Sequence, residues 1–187
     1  MRDQQRPRAR ERRPPTPLSA EKLDELALAY VARFATSAKK VEQYLVRKLR
    51  ERGWEEEHPA DPRAIVDRFV DLGYIDDEAW ARAKSGGLLR RGYGARRVDQ
   101  TLNAAGIAEE IRTGVKAGEA EERSAAIALA RRRRLGPWGK EADREARQKQ
   151  IAAMLRAGHG FDAARAVIDA LSIADAEAWA AEVEENS

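Results

Sequence analysis

Lys39-Lys40, Arg47-Lys48, Arg90-Arg91 and Arg96-Arg97 are pairs of adjacent cations in the body of the chain. Such groups bind carboxylates and phosphates, lysine as a point charge and arginine as a planar fork, and they do not by themselves make or break bonds. Residues for covalent chemistry are scarce. With no cysteine and only two histidines, His58 and His159, in different parts of the chain, there is no disulfide, no thiolate and no Cys-ligated zinc. No Ser/His/Asp or His/His/carboxylate set can be assembled, and none of the abundant acids is marked by an apolar setting beside a partner. The residues predict a protein that is not an enzyme, holds no metal, and works by recognising charge.

The cations are not equivalent. Lys39, Lys40, Arg96 and Arg97 fall in the first turn of predicted helices, where the dipole disfavours a cation by a few tenths of a kcal/mol. Their recurrence suggests a use outside the fold, on an acidic partner surface or on phosphates; a solvated helix start is the alternative. Arg131 to Arg134 are more conspicuous and less informative. Four consecutive residues sweep about 300° around a helix and cannot share one face, and they occupy the last turn before Leu135-Gly136-Pro137, where cations suit the dipole. The stretch Arg90-Arg-Gly-Tyr-Gly-Ala-Arg-Arg97 has glycines before a helix, but no strand precedes it and no lysine stands in P-loop register. Tyr93, between arginine pairs, is a better candidate for a nucleic-acid or protein contact. Trp54, Trp80, Trp138 and Trp179 read as packing residues, and His159 as packing beside the joint after Gly158.

The elements that hold these residues are helices. In 187 residues, 36% are charged and 43% hydrophobic, which favours thin cores over one deep one. β-branched runs of strand length are absent. A repeat organises the rest: Ser37-Ala-Lys-Lys-Val-Glu42 matches Gly94-Ala-Arg-Arg-Val-Asp99 in character at every position, each opening a helix that ends at a glycine, Gly53 and Gly106. Ile151, Met154 and Leu155 lead in the same way to Gly158, so the stop glycines lie 53 and 52 residues apart. A further helix is expected after each, with stripes Ile65/Phe69/Leu72, Ile111/Val115 and Val167/Ile168/Leu171, and one before each, carrying Leu26/Tyr30/Phe34, Trp80/Leu88 and Ile127/Leu129.

The expectation is an all-α, elongated, curved array of three tandem three-helix repeats, at residues 18–75, 76–118 and 119–172. Leu72-Gly-Tyr-Ile-Asp-Asp77 is its first seam: Gly73 ends one helix, Tyr74 and Ile75 cover the joint, and Asp76 caps the next. Residues 1–17, with six arginines against Asp3 and Glu11 and several prolines, read as a disordered basic tail that touches nucleic acid or aids solubility. Residues 173–187 read as an acidic C-terminal helix or tail. No segment approaches the roughly 20 apolar residues needed to span a bilayer, so the expected location is the cytoplasm, away from membranes.

A tyrosine-bearing helix, Thr36-Ser37, a Leu-x3-Leu helix, Leu72-Gly-Tyr-Ile-Asp-Asp77 followed by Ala79-Trp80, then Gly92-Tyr-Gly94 and Arg147-Gln-Lys149 occur in an order that resembles the RecX family of bacterial recombination regulators. The likeness covers roughly residues 22–171. It implies a regulator of DNA repair, recombination and the SOS response that binds the filament of a RecA-type recombinase and modulates its recombination, ATPase and coprotease activities, usually by inhibition. It also implies contact with single- or double-stranded DNA and no cofactor; a monomer is expected. Basic residues on the concave side would face the filament, and Lys39, Lys40, Arg47, Lys48, Arg90, Arg91, Arg96 and Arg97 are the candidates. Glu55-Glu-Glu-His-Pro-Ala-Asp61 lengthens the first unit, Ser85-Gly86-Gly87 weakens a helix usually continuous, and His159 stands where an aromatic is common. The competing reading is a helix-turn-helix protein that lays the helix starting at Gly94 in the major groove of duplex DNA, with Arg96, Arg97 and Gln100 at its start.

Overall fold

The computed structural model describes residues 16–183, which form ten α-helices and no strand; one isolated parallel bridge joins Leu18 to Trp54. The expected disordered tail lies, except for Thr16 and Pro17, outside the described residues, as do residues 184–187. Helices α1 (Ala20–Arg33), α2 (Ala38–Arg52) and α3 (Pro62–Asp71) pack on one another, then α4 (Asp77–Arg90), α5 (Ala95–Ala104) and α6 (Glu109–Gly114), then α7 (Glu119–Arg133), α8 (Arg144–Arg156) and α9 (Phe161–Ile168). Helix α10 (Ile173–Ala181) returns against α7 and α9. The acidic C-terminal segment is therefore a helix over those residues. Arg123 of α7 holds it: the guanidinium donates to the Trp179 carbonyl and stacks 4.7 Å from the centre of the Trp179 ring.

Each trio has its own small core, centred on Leu23, Val41, Leu45 and Phe69, on Ala81, Val98, Leu102 and Ile107, and on Leu129, Met154, Val167 and Ile168. A fully buried leucine such as Leu45 or Leu102 contributes about 1.5–3 kcal/mol by leaving water, so each unit rests on a handful of side chains. The four tryptophans pack at the edges of these cores, as their apolar bulk suggests.

Helix ends follow local chemistry. Asp61 and Asp76 accept from Ala64 N and Ala79 N, capping α3 and α4. Gly53, Gly73, Gly106 and Gly158 have φ of +84°, +73°, +78° and +98°, the region that lets a helix stop without a Cβ clash. Three stripe residues fall outside the cores. Phe34 is the residue after α1 and is half-exposed, Leu72 follows the last residue of α3, and Leu171 lies beyond α9 and is 96% exposed. In α3 the buried positions are Val66 and Phe69, and Leu72, the C-cap residue, is exposed. Ser85-Gly86-Gly87 does not interrupt α4. Packing against α7 and a bond from the Ser85 hydroxyl to Val115 O hold the helix where propensity alone would loosen it.

His159 is 3% exposed, with Nε2 3.1 Å from the Gly92 carbonyl, and its burial lowers its pKa below the ordinary value. On acidification the unfolded chain takes up this proton first, so the neutral imidazole favours folding above about pH 6.5 and the benefit is lost as pH falls below it. Chemical denaturation from pH 7.5 to 5 should show stability declining in the wild type, and His159→Phe should remove part of that slope.

Candidate functional site

The repeated stretches SAKKVE and GARRVD lie at the two seams between units. At the first, the Ser37 hydroxyl donates to the Ala105 carbonyl at 2.7 Å, and a Cβ placed on Gly106 would sit 2.4 Å from Lys39 Cβ. At the second, Gly94 N donates to Ala157 O at 3.0 Å, Arg96 N donates to Gly158 O at 3.2 Å, and a Cβ on Gly158 would lie 2.4 Å from Arg97 N. The start of each second helix therefore meets the end of the next unit's second helix. At the second seam N–H groups of one helix end meet carbonyls of the other, at the first the Ser37 hydroxyl is the donor, and at both the half-charges of the dipoles face each other.

This contact revises the reading of the four first-turn cations. Lys39, Lys40, Arg96 and Arg97 are misplaced with respect to their own helix but flank the carbonyl end of its neighbour, where cations are favoured. Position alone therefore does not require an outside partner. Asp77 completes the first seam: Oδ1 accepts from Ala38 N at 2.8 Å, so a carboxylate at the start of α4 also caps α2. Burial raises its pKa, the Ala38 N–H opposes that rise, and neighbouring Asp76 adds to it. Asp77→Ala should cost about 1–2 kcal/mol, the scale of a lost cap, in urea denaturation, while Asp71→Ala, an exposed residue in no such bond, should cost little.

The eight candidate residues divide by their partners. Lys39 pairs with Glu42 at 2.8 Å, and Arg47 and Lys48 pair with Glu51 at 3.7 and 2.6 Å. Arg90, Arg91, Arg96 and Arg97 are exposed, and Lys40 is half-buried. Among the described residues none of these five has a carboxylate at ion-pair distance. Lys40 and Arg97 meet in a shallow 330 Å³ concavity with Gln100, Thr101, Ala104 and Ala105, while Lys39, Arg47 and Arg50 line a second one beside Gln43 and Val46. Arg90 lies in the groove between α4 and α7, and Arg96 in a 550 Å³ cleft with Arg112, Lys116, Asp99, Glu109 and Glu122. Thus Lys40 and Arg97 come together across the first seam; Arg90 and Arg96 look into separate recesses.

Lys84 is a basic residue that the spacing argument missed. Lys40 Nζ lies 4.5 Å and Lys84 Nζ 6.0 Å from the centre of the Trp80 ring. The i, i+4 spacing of Trp80 and Lys84 on α4 was the available signal, but that Lys40 joins them is a tertiary fact. Among the described residues no group of three His, Asp or Glu side chains is arranged to hold a metal, and no helix is long and apolar enough to cross a membrane.

Nine helices in three trios and a tenth packed on the last, with the same kind of helix start used twice as a seam, define an all-α protein of tandem helical repeats. No family model matches the chain. A curated relative, the regulatory protein RecX of Myxococcus xanthus (strain DK1622), is 32% identical over 168 residues, 83% of this chain and 88% of that one. The regulatory protein RecX of Mycobacterium sp. (strain KMS) is 34% identical over 101 residues, 52% of each chain. The crystal structure of RecX from Lactobacillus salivarius shares the fold, with a TM-score of 0.61 at 20% identity over 80% of this chain and 94% of that one. The chain belongs to the RecX family of regulatory proteins.

Proposed function

We propose that this protein is a cytoplasmic, non-enzymatic regulator that binds the filament of a RecA-type recombinase and restrains its recombination, ATPase and coprotease activities. Its units, 18–75, 76–118 and 119–172, lie along the filament and present Lys39, Lys40, Arg47, Lys48, Arg90, Arg91, Arg96 and Arg97 to protein or DNA. Family membership carries this reading. It is supported by the serial arrangement of small cores and the recurrence of the same cation pair at both seams. A binder of a polymer gains from several weak contacts at fixed spacing, since each contact after the first is effectively intramolecular.

The helix-turn-helix reading fits less well. The start of α5, which would enter the major groove, has its N–H groups at Gly94 and Arg96 bonded to Ala157 and Gly158. The deciding experiment adds the purified protein to recombinase filaments formed on single-stranded DNA and follows ATP hydrolysis and filament length. Inhibition at stoichiometric amounts or below is expected. No change in either quantity at a several-fold excess would remove the regulatory reading.

A further inference from the structure

The cleft at the second seam holds more polar groups than the fold uses. One wall is α5, with Val98, Asp99 and Leu102; the other is α6 and the residues after it, with Arg112, Val115 and Lys116. Glu122 of α7 and the backbone of Gly158 and Gly160 close it from the third unit. Arg112 is the unusual member. Its side chain is 17% exposed, Nη1 donates to Asp99 Oδ1 at 3.2 Å, and the buried Nε has no hydrogen-bond partner. A guanidinium taken out of water with a donor unused invites an acceptor that the chain itself does not supply. The other charges are idle as well: among the described residues Arg96, Lys116, Glu109 and Glu122 have no ion-pair partner, although Glu122 is half-buried. The floor is apolar, since Val98 and Leu102 belong to the second core.

This mixture of charges narrows the ligand. A plain anion would gain from Arg112 and Lys116 but meet Glu109 and Glu122, and a plain cation would meet the reverse. A molecule with a carboxylate and an ammonium a few bonds apart satisfies both signs, and an aliphatic side chain between them covers the floor. The cleft, at 550 Å³, is within the range of about 300–1,000 Å³ that suits small ligands. We propose that it binds a dipolar, amino-acid-type ligand, either a free aliphatic amino acid or a short peptide, with the carboxylate on Arg112, the ammonium toward Glu122 and the side chain on Val98 and Leu102. Arginine holds a carboxylate through parallel N–H donors, and the unused Nε is one of them. Arg112 belongs to the second unit, and Glu122, Gly158 and Gly160 belong to the third, so a bound ligand joins the two units where Gly94 N and Arg96 N already meet Ala157 O and Gly158 O. The site goes beyond the regulatory reading and needs neither recombinase nor nucleic acid: it gives the array a point at which a small effector stiffens it.

The test titrates the full chain with L-leucine and with leucyl-leucine at neutral pH and follows backbone amides by NMR. Saturable shifts are expected at Val98, Leu102, Arg112 and Gly160, and the tighter of the two probes tells a free amino acid from a peptide. Leucinamide lacks the carboxylate and N-acetyl-leucine lacks the ammonium, so each should bind about ten-fold more weakly than L-leucine, the scale of one lost charge-assisted contact. Arg112→Gln should weaken the better probe by about ten-fold or more. Because Arg112 also meets Asp99, Glu122→Gln is the second variant: it removes no printed bond of the fold, should melt like the wild type, and should weaken the same probe by a similar factor. Glu110→Gln, on α6 but outside the cleft, should bind like the wild type. The absence of saturable shifts with either dipolar probe at millimolar concentrations would overturn the proposal. So would shifts that survive unchanged in both Arg112→Gln and Glu122→Gln, which would place the ligand elsewhere. Equally tight binding of N-acetyl-leucine or inorganic phosphate would also overturn it, by showing a site for anions only.

Discussion

Replacing Gly158 by alanine is expected to cost about 2–5 kcal/mol, because a left-handed residue gains a Cβ, costing about 1–2 kcal/mol, and a packed contact is overfilled, costing about 1–3 more. The contact is with backbone: the new Cβ would lie 2.4 Å from Arg97 N and 2.9 Å from Gly94 O, and neither can swing aside like a side chain. Gly53 is the internal control. It ends α2 with φ of +84° and nothing within 4 Å of the place its Cβ would take, so Gly53→Ala should show the conformational cost alone, about 1–2 kcal/mol. Gly94→Ala separates the terms from the other side. Its φ of −80° suits any residue, but its Cβ would meet Gly158 C at 2.4 Å, so its cost should be steric alone. Urea denaturation ranks the three. If Gly158→Ala and Gly53→Ala cost the same, the second seam is not closely packed in solution. Hydrogen exchange adds a spatial check, since the Gly158 variant should lose protection at Ala157, His159 and the start of α5 before it does so in α1.

The same glycines show how far the sequence was legible. A helix stop with positive φ leaves a local signature, a glycine followed by apolar residues that cover the turn, and Gly53, Gly73 and Gly106 could be placed from it, while Gly158, followed by His159, was placed from the apolar spacing that leads to it. The caps at Asp61 and Asp76 were readable for the same reason, being chemistry within three residues. Periodicity was less exact. Leu72 and Leu171 continue the apolar spacing of α3 and α9 yet fall one and three residues beyond the helix ends, so a stripe drawn from spacing overran both. The integrity of α4 through Ser85-Gly86-Gly87 was legible least, because the packing of α7 decides it.

The seams themselves depend on long-range pairing. From the chain alone, Lys39, Lys40, Arg96 and Arg97 are cations at the wrong end of a helix, and an outside ligand is a natural explanation. The spatial neighbour of each helix start is a carbonyl end some 60 residues away, in contacts such as Ser37 to Ala105 and Gly94 to Ala157, and no local pattern announces it. Asp77 is similar. Its place in the first turn of α4 already satisfies the dipole rule, which hides its bond to Ala38 N. The repeat was visible as two matching stretches because each performs the same docking task. Repetition thus reflects internal geometry as well as any partner.

That double role sets the second large prediction. Combining Lys39→Gln, Lys40→Gln, Arg96→Gln and Arg97→Gln should raise the concentration needed for half-maximal inhibition of filament ATP hydrolysis by about ten-fold or more, if each cation meets an anion worth up to about 1 kcal/mol on the partner. Stability should change far less. The roughly 0.3–1 kcal/mol that each cation gains at its neighbour's carbonyl end is largely offset by a similar cost at its own helix start, and any loss should shrink as salt is raised. Arg47→Gln with Lys48→Gln is the matched comparison, since both side chains are already held by Glu51 and their loss should affect inhibition less. Equal loss per charge removed from both sets would mean that net charge, and not the seam pattern, attracts the filament. Full inhibition by the fourfold variant, with a lowered melting temperature, would mean that the repeated cations serve only to join one unit to the next.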